Sequence, residues 1–249
     1  MDVATLQRLT ARTWPGLEQD RLGEWELRAA GGFTGRANST LPIGDPGVEL
    51  PEAMDRVRAW YAARGLAPRV QVPALLAGEQ AAQPAAAVDA WCDAQGWTAE
   101  PWTLVLTRPV TGPPRESSLD LHWAEVPDAR WLDRYHHRGS ELPESALRVI
   151  TAAPADYLTA TRAGEVIGIG RAAVVEDLVV LTAIEVAGEH RRRGYGAAIT
   201  EALAAAGAAR GATLAALQVF AHNRAAVGLY RNLGYRDHHR YRYRTPSVR

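Results

Sequence analysis

An apolar run from Leu178 to Val186 constrains the fold of this chain more than any other feature. It is apolar almost throughout, which is typical of a central β-strand covered on both faces. A glycine-punctuated segment follows, then a helical pattern over 196–210 and a second apolar run, Leu214–Val219. Because a strand, a crossover helix and a second strand form a right-handed unit, these strands are predicted to be parallel neighbours in an α/β fold.

Periodicity and turn residues predict the remaining elements. Tyr157–Thr161 and Val166–Val175 are predicted to form a hairpin around the turn Arg162–Glu165. The other predicted elements are helices over 51–65, 85–94 and 224–233, strands over 68–72, 102–107 and 240–244, and a loop over 74–84.

The strongest break in the sequence is the Gly- and Pro-containing stretch Thr111–Ser118. A chain of 249 residues is long enough for two domains. We therefore predict domains over 1–115 and 119–249. The order of helices and strands recurs in both, and Ala62–Gly65 repeats the sequence of Ala208–Gly211. This recurrence predicts divergent copies of one unit.

The composition excludes several classes of protein. Acidic and basic residues balance at 28 each, so the total charge gives no support for binding nucleic acid or a membrane surface. No apolar stretch approaches the roughly 20 residues that a membrane helix needs. Cys92 is the single cysteine, so no intrachain disulfide can form. A cytoplasmic location is expected, and the chain is expected to be a monomer or a dimer.

The basic segment Arg191–Gly196 lies between the central strand and the following helix. The first turn of a helix has unpaired N–H groups and a partial positive charge, so a diphosphate can bind there. Glycines let ligand oxygens approach the backbone closely. The alternative is a solvated basic turn in which glycine only reverses the chain.

The combination of this segment with later motifs resembles the GNAT superfamily of acyl-CoA N-acyltransferases. Arg191-x-x-Gly194-x-Gly196 matches motif A of that superfamily, and Leu233-Gly234-Tyr235 matches its usual ending. Asn223, Ala226, Leu229 and Tyr230 match motif B. The resemblance implies a GNAT fold, with a mixed α/β sheet flanked by helices, and acetyl-CoA as cofactor. The implied cofactor-binding residues are Ile184, Val186, Arg191, Arg192, Arg193, Gly194, Tyr195, Gly196, Ala197, Asn223 and Tyr230.

The resemblance spans roughly 121–244 and is faint before Leu121. Asp45–Leu50, which the repeat places opposite the basic segment, lacks the signature and carries acidic residues. One acyl-CoA site is therefore expected. The whole chain also resembles actinobacterial tandem GNAT proteins with a degenerate amino-terminal domain, through the segment Gly31–Ser39. This segment is either a hairpin crossing or a surface facing the acceptor, with Arg36 and Asn38 as its notable side chains.

Acetyl transfer from a thioester to an amine needs an oxyanion donor, a proton for the leaving thiolate and a base. The backbone N–H of Val186 is the expected oxyanion donor, a type of group worth about 3–4 kcal/mol of barrier. Tyr230 matches the family's general acid, although it is also consistent with a core aromatic. Gln218 occupies a strand position where some relatives have a base, and it cannot take a proton. Glu185 is the nearest acid in sequence, with His222, Glu141 and ordered water as alternatives.

The resemblance places the acceptor pocket near Trp131–Leu147. Tyr135, His136, Glu141 and Gln218 are its expected substrate-binding residues, although a wet surface explains the first three equally well. His136 and His137 lack further ligands, so no metal site is expected.

The expected reaction is acetyl transfer to a primary amine of a small molecule. The alternatives are transfer to a protein amino terminus or lysine, and an acyl-CoA sensor without turnover. Arg240–Arg244 alternates arginine with tyrosine, which fits either a base-stacking strip or a strand with its tyrosines inward and its arginines outward. The balanced charge disfavours nucleic acid.

Overall fold

The structure is a computed structural model that describes residues 1–76, 85–110, 118–136 and 142–247. Its strands are β1 Glu18–Leu22, β2 Trp25–Ala29, β3 Val70–Ala74, β4 Thr98–Ala99, β5 Thr103–Pro109, β6 Asp120–Ala124, β7 Asp156–Arg162, β8 Glu165–Val175, β9 Leu178–Val186, β10 Leu214–Phe220 and β11 Arg236–Thr245. Its α-helices are α1 Val3–Arg12, α2 Leu50–Ala62, α3 Ala86–Ala94, α4 Ala129–Arg134, α5 Ala146–Ile150, α6 Tyr195–Ala209 and α7 Arg224–Asn232.

Within the described residues, nine strands form one mixed sheet in the order β3-β11-β5-β10-β9-β8-β7-β6, with β4 paired to β11. β9 and β10 are parallel, as the predicted crossover through α6 requires. The other pairs in this sheet are antiparallel, and β1 and β2 form a separate hairpin. The predicted mixed sheet with flanking helices is confirmed.

Helices cover both faces of the central strand β9, which explains its apolar sequence. Val179 and Leu181 pack in the core beneath α6, whereas Leu178 and Val180 pack in the core beneath α1. No element was predicted for residues 1–50, although Asp2 caps α1 by accepting a backbone N–H, a recognisable helix start. None of the helices in the described ranges combines the length and apolar character needed to cross a membrane.

The two halves of the chain exchange strands in the middle of the sheet. β5 lies between β11 and β10, and β11 lies between β3 and β5. The order β3-β11-β5-β10 therefore reads the same from either end when β3 is equated with β10 and β5 with β11. A duplicated unit produces this symmetry. The division into 1–115 and 119–249 stays a prediction, because 111–117 lie outside the described residues, as do 77–84 of the predicted loop.

Packing within the fold explains why arginine and tyrosine alternate over Arg240–Arg244 on β11. Tyr241 and Tyr243 are buried beneath α1, as the inward-tyrosine interpretation predicts. The expectation that the arginines point outward is wrong for Arg244, which is buried because Asp89 of α3 holds it at 2.7 Å. Arg242 also pairs with Asp89, at 2.7 Å. These charges are used within the fold, which supports the structural interpretation of the strip.

Candidate active site

A cleft opens where the parallel strands β9 and β10 separate. Their pairing ends at Leu181 and Leu217, although both strands continue beyond these residues. β9 has one extra residue opposite β8 in this region, and Ala183 has a φ of +52°. This is a β-bulge, which bends a strand and interrupts its side-chain alternation. The bulge was not predicted, because no local sequence signal marks it.

A cavity of about 1080 Å³ lies at the end of this cleft, and we call it the loop cavity. The basic segment forms one wall of it. Gly194 is the N-cap of α6 with a φ of +83°, a conformation that glycine adopts without strain. Arg191 fixes the segment to the strand by donating its Nε–H to the Val186 carbonyl at 3.1 Å. The amino end of a 15-residue helix therefore faces the cavity.

The predicted cofactor-binding residues are nearly all at the loop cavity. Its wall includes ten of them: Ile184, Val186, Arg191, Arg192, Gly194, Tyr195, Gly196, Ala197, Asn223 and Tyr230. Arg193 is exposed and does not line the cavity, so its cofactor contact stays a prediction. Asn223 also caps α7, accepting the Ala226 N–H at 3.2 Å. Arg134 and Arg224 line the cavity as well, and sequence reasoning missed them.

A second cavity of about 330 Å³ adjoins the first, and we call it the tyrosine cavity because Tyr135, Tyr230, Tyr241 and Tyr243 line it. The predicted substrate-binding residues His136 and Gln218 also line it. Glu141 and His137 lie outside the described residues. Residues 34–36 contribute a further wall, so Gly31–Ser39 faces this cavity rather than only crossing the fold.

The two cavities share six residues: His136, Ile184, Glu185, Asn223, Ala226 and Tyr230. Of these, His136, Glu185 and Tyr230 have side chains that are able to exchange protons with a ligand. A ligand in one cavity therefore meets a ligand in the other beside a carboxyl group and a phenol.

Glu185 is partly buried at this junction. Strand alternation alone left open whether it faces the cleft, and beyond the bulge it lines both cavities. Burial raises the pKa of Glu185, and this is opposed by the backbone N–H of His136, which donates to its carboxylate at 3.1 Å. His222, an alternative base, is exposed, stacks on Phe220 and lines neither cavity.

Tyr230 is only 8% exposed, on the face of α7 that lines both cavities. Burial raises the pKa of its phenol to about 12, so the phenol is protonated at neutral pH. Its ring packs edge-on against Tyr235 at 6.1 Å between centroids. Tyr230 is thus both a core aromatic and a proton donor accessible to ligands.

Glu165, Glu189 and His190 form a cluster of potential metal ligands among the described residues. His190 Nε2 lies 3.0 Å from a Glu165 oxygen, so direct contact accounts for the proximity of these two side chains. Both glutamates are exposed, and exposed acidic clusters commonly hold no ion. The absence of a functional metal stays a prediction.

The chain is similar in sequence to proteins that are named acetyltransferases. A family model described as "Probable histone acetyltransferase Rv0428c C-terminal" matches residues 1–244. The probable histone acetyltransferase Rv0428c of Mycobacterium tuberculosis is 32% identical over an alignment of 262 positions, which covers 97% of this chain and 73% of that protein.

Two solved structures have the same fold. A GCN5-related N-acetyltransferase from Kribbella flavida superposes with a TM-score of 0.74 at 16% identity, covering 100% of this chain and 97% of the other. A tandem GNAT protein from the clavulanic acid biosynthesis pathway gives a TM-score of 0.61 at 14% identity, covering 82% and 73%. The expected GNAT fold is therefore confirmed.

Proposed function

Since the chain belongs to the Rv0428c C-terminal family of GNAT acetyltransferases, we propose that it transfers the acetyl group of acetyl-CoA to a primary amine of a small molecule. Its membership supports an acyltransferase rather than a sensor without turnover. The observation that carries the proposal is the junction of the two cavities beside Glu185 and Tyr230. Acetyl-CoA occupies the loop cavity and the amine occupies the tyrosine cavity.

The diphosphate of the cofactor binds at the amino end of α6. Unpaired N–H groups in the first helical turn donate to its oxygens, and the helix dipole favours its charge. Arg134, Arg191, Arg192 and Arg224 add positive charge around the same cavity. The pantetheine arm lies along Ile184–Val186, where β9 no longer pairs with β10.

Transfer proceeds through a tetrahedral intermediate. Glu185 takes the amine proton, directly or through one water, and the neutral nitrogen attacks the thioester carbonyl. The Val186 N–H donates to the resulting oxyanion. When the C–S bond breaks, Tyr230 donates its proton to the departing thiolate. The phenolate, a strong base because of its raised pKa, takes back the proton that the attacking nitrogen loses as the amide forms, directly or through one water. Glu185 releases the proton it took from the amine to solvent.

Glu185→Gln is expected to lower kcat by about 10²-fold, since glutamine cannot accept the amine proton. A base acts in its deprotonated form, so wild-type kcat should rise with pH through the raised pKa of Glu185 and then level off. This acid limb should be lost in the variant. The measurement is the pH profile of kcat at saturating amine, with Glu176→Gln as an exposed carboxylate control. An unchanged acid limb in Glu185→Gln would assign the base elsewhere.

One acetyl-CoA per chain is expected to bind. The helix that corresponds to α6 in the amino-terminal half is α2, which has Glu49 as N-cap, a proline in its first turn and no side-chain cap. Proline removes an N–H donor, and Glu49 and Glu52 repel a diphosphate. Calorimetric titration should give a stoichiometry of one. A stoichiometry of two would show that the amino-terminal half binds the cofactor as well.

The size and walls of the tyrosine cavity support a small acceptor. About 330 Å³ accommodates an amino acid or a single sugar, and residues 34–36 and the β11 tyrosines line it. The relative from Mycobacterium tuberculosis is named a probable histone acetyltransferase, which makes protein lysine the second candidate.

A screen for release of the CoA thiol distinguishes these candidates. The panel contains amino acids, amino sugars, polyamines and peptides with a free amino terminus or a lysine. The best small amine should exceed the best peptide in kcat/KM by at least about tenfold, which corresponds to roughly 1.4 kcal/mol of transition-state stabilisation. Higher kcat/KM for peptides would favour the protein acceptor.

A further inference from the structure

Three polar groups that line the tyrosine cavity lack hydrogen-bond partners among the described residues. They are Arg36 Nε, Thr182 Oγ1 and the Tyr243 hydroxyl. Thr182 is 8% exposed and Tyr243 is 4% exposed. Buried polar groups are almost always satisfied in native proteins, so a group of unpaired donors around one cavity points to a ligand.

Two arginines bring positive charge to this side of the tyrosine cavity. The Arg36 guanidinium lies 4.8 Å from the centre of the Trp14 ring, and that of Arg171 lies 4.9 Å from the same ring. Arg171 is fully buried, and its hydrogen bonds go to the Ala153 carbonyl and the Tyr157 hydroxyl. Neither arginine pairs with a carboxylate in the described part of the chain. Arg36 is half-buried and its Nε is shielded from solvent, so an anionic ligand beside it would compensate a partly desolvated charge.

This positive region lies away from the reacting groups. Glu185 and Tyr230 line both cavities, whereas Arg36, Thr182 and Tyr243 line the tyrosine cavity alone. Tyr135 lines the tyrosine cavity together with Arg36 and Glu185. An acceptor that places its amine beside Glu185 therefore extends its other end towards Arg36.

The backbone that carries Arg36 is fixed in place. The Asn38 side-chain oxygen accepts the N–H groups of Ala30 and Gly32 at 2.7 and 2.8 Å, and its amide donates to the carbonyls of Phe33 and Thr34. A Cβ on Gly35 would lie 2.7 Å from the Tyr243 ring, so glycine permits this close approach. Asn38 is thus structural, and it holds Arg36 ready for a ligand.

We propose that the acceptor is an amine that also carries a carboxylate, an amino acid or a close analogue, and that Arg36 binds the carboxylate. The planar guanidinium matches a carboxylate, and the hydroxyls of Thr182 and Tyr243 donate to the oxygens that remain. Among the described residues Arg36 is the one arginine that lines the tyrosine cavity, and one guanidinium with neutral donors suits a monoanion better than a phosphate dianion. The inference rests on the proposed function and assigns acceptor selection to the amino-terminal half.

The test compares each of the twenty standard L-amino acids with its primary amide, using the wild-type full-length protein. Wild type should prefer at least one acid over its amide by about tenfold or more in kcat/KM. The amide has the less basic amine and more of it is neutral, so amine ionisation cannot produce this preference.

Arg36→Gln should lower kcat/KM for the preferred acid by roughly 10²-fold, mainly through KM, because a charge pair that ligand binding shields from water is lost. Its kcat/KM for the amide should stay within a few-fold. Arg64→Gln is the matched control, since Arg64 also stacks on a tryptophan, Trp60, but lines neither cavity. Calorimetry should give the wild-type Kd for acetyl-CoA in both variants.

Transfer to none of the acids, equal kcat/KM for acids and amides, or an acid preference that survives Arg36→Gln would each overturn the inference. Each of these outcomes leaves the proposed function standing if acetyl-CoA binds and another amine is acetylated. Loss of acetyl-CoA binding by the wild-type protein would instead overturn the proposed function and this inference with it.

Discussion

Gly194→Glu is expected to weaken acetyl-CoA binding by at least about 10²-fold, since like charges in contact at an interface cost several kcal/mol. Gly194 is the N-cap of α6, and a Cβ built there meets nothing within 4 Å. The new carboxylate would therefore lie at the mouth of the loop cavity, against the diphosphate. Calorimetry measures the affinity, and circular dichroism checks that the fold is intact.

The matched control is Gly211→Glu, just beyond the other end of the same helix. Gly211 has a φ of +93° and Gly194 a φ of +83°, so both substitutions impose similar backbone strain in open space. Gly211→Glu should bind acetyl-CoA like wild type. Equal loss in both variants would indicate a general effect on α6, and wild-type affinity in Gly194→Glu would remove the phosphate site from this segment.

Tyr230→Phe is expected to lower kcat by about 10²–10⁴-fold, the usual contribution of a positioned proton donor. Burial holds the pKa of Tyr230 at about 12, so the wild-type phenol carries its proton at neutral pH and can protonate the thiolate. Phenylalanine keeps the ring packing but lacks the proton. The Kd for acetyl-CoA should therefore change little while kcat falls.

Tyr235→Phe is the matched control for Tyr230→Phe. Tyr235 packs on Tyr230, its hydroxyl is buried without a partner among the described residues, and it lines neither cavity. Its kcat should stay near wild type. If Tyr230→Phe also stays within a few-fold of wild type in an assay limited by chemistry, Tyr230 is only a core aromatic.

The carboxy-terminal half of the fold could be predicted because its signals are local. The apolar run of β9 coincides with the observed strand Leu178–Val186, and α6 begins at Tyr195, one residue before its predicted start. Asn223 caps α7, a position that asparagine favours. Hydrophobic periodicity and capping residues determine such boundaries without tertiary contacts.

The remaining features depend on contacts distant in sequence. The insertion of β5 between β10 and β11 follows from pairing across more than 100 residues, for example Leu106 with Leu217. The bulge at Ala183, which decides where Glu185 lies, has no residue signature. Arg36 reaches the tyrosine cavity because the amino-terminal half packs against β11, and no pattern within Gly31–Ser39 reports that contact.

A crystal structure of the protein grown with CoA would test the central claim most directly. We expect the diphosphate within hydrogen-bonding distance of backbone N–H groups in 194–197, and the thiol at the junction of the cavities beside Val186 and Tyr230. The tyrosine cavity should remain free for the acceptor. CoA bound at the start of α2, or with its thiol away from that junction, would contradict the account.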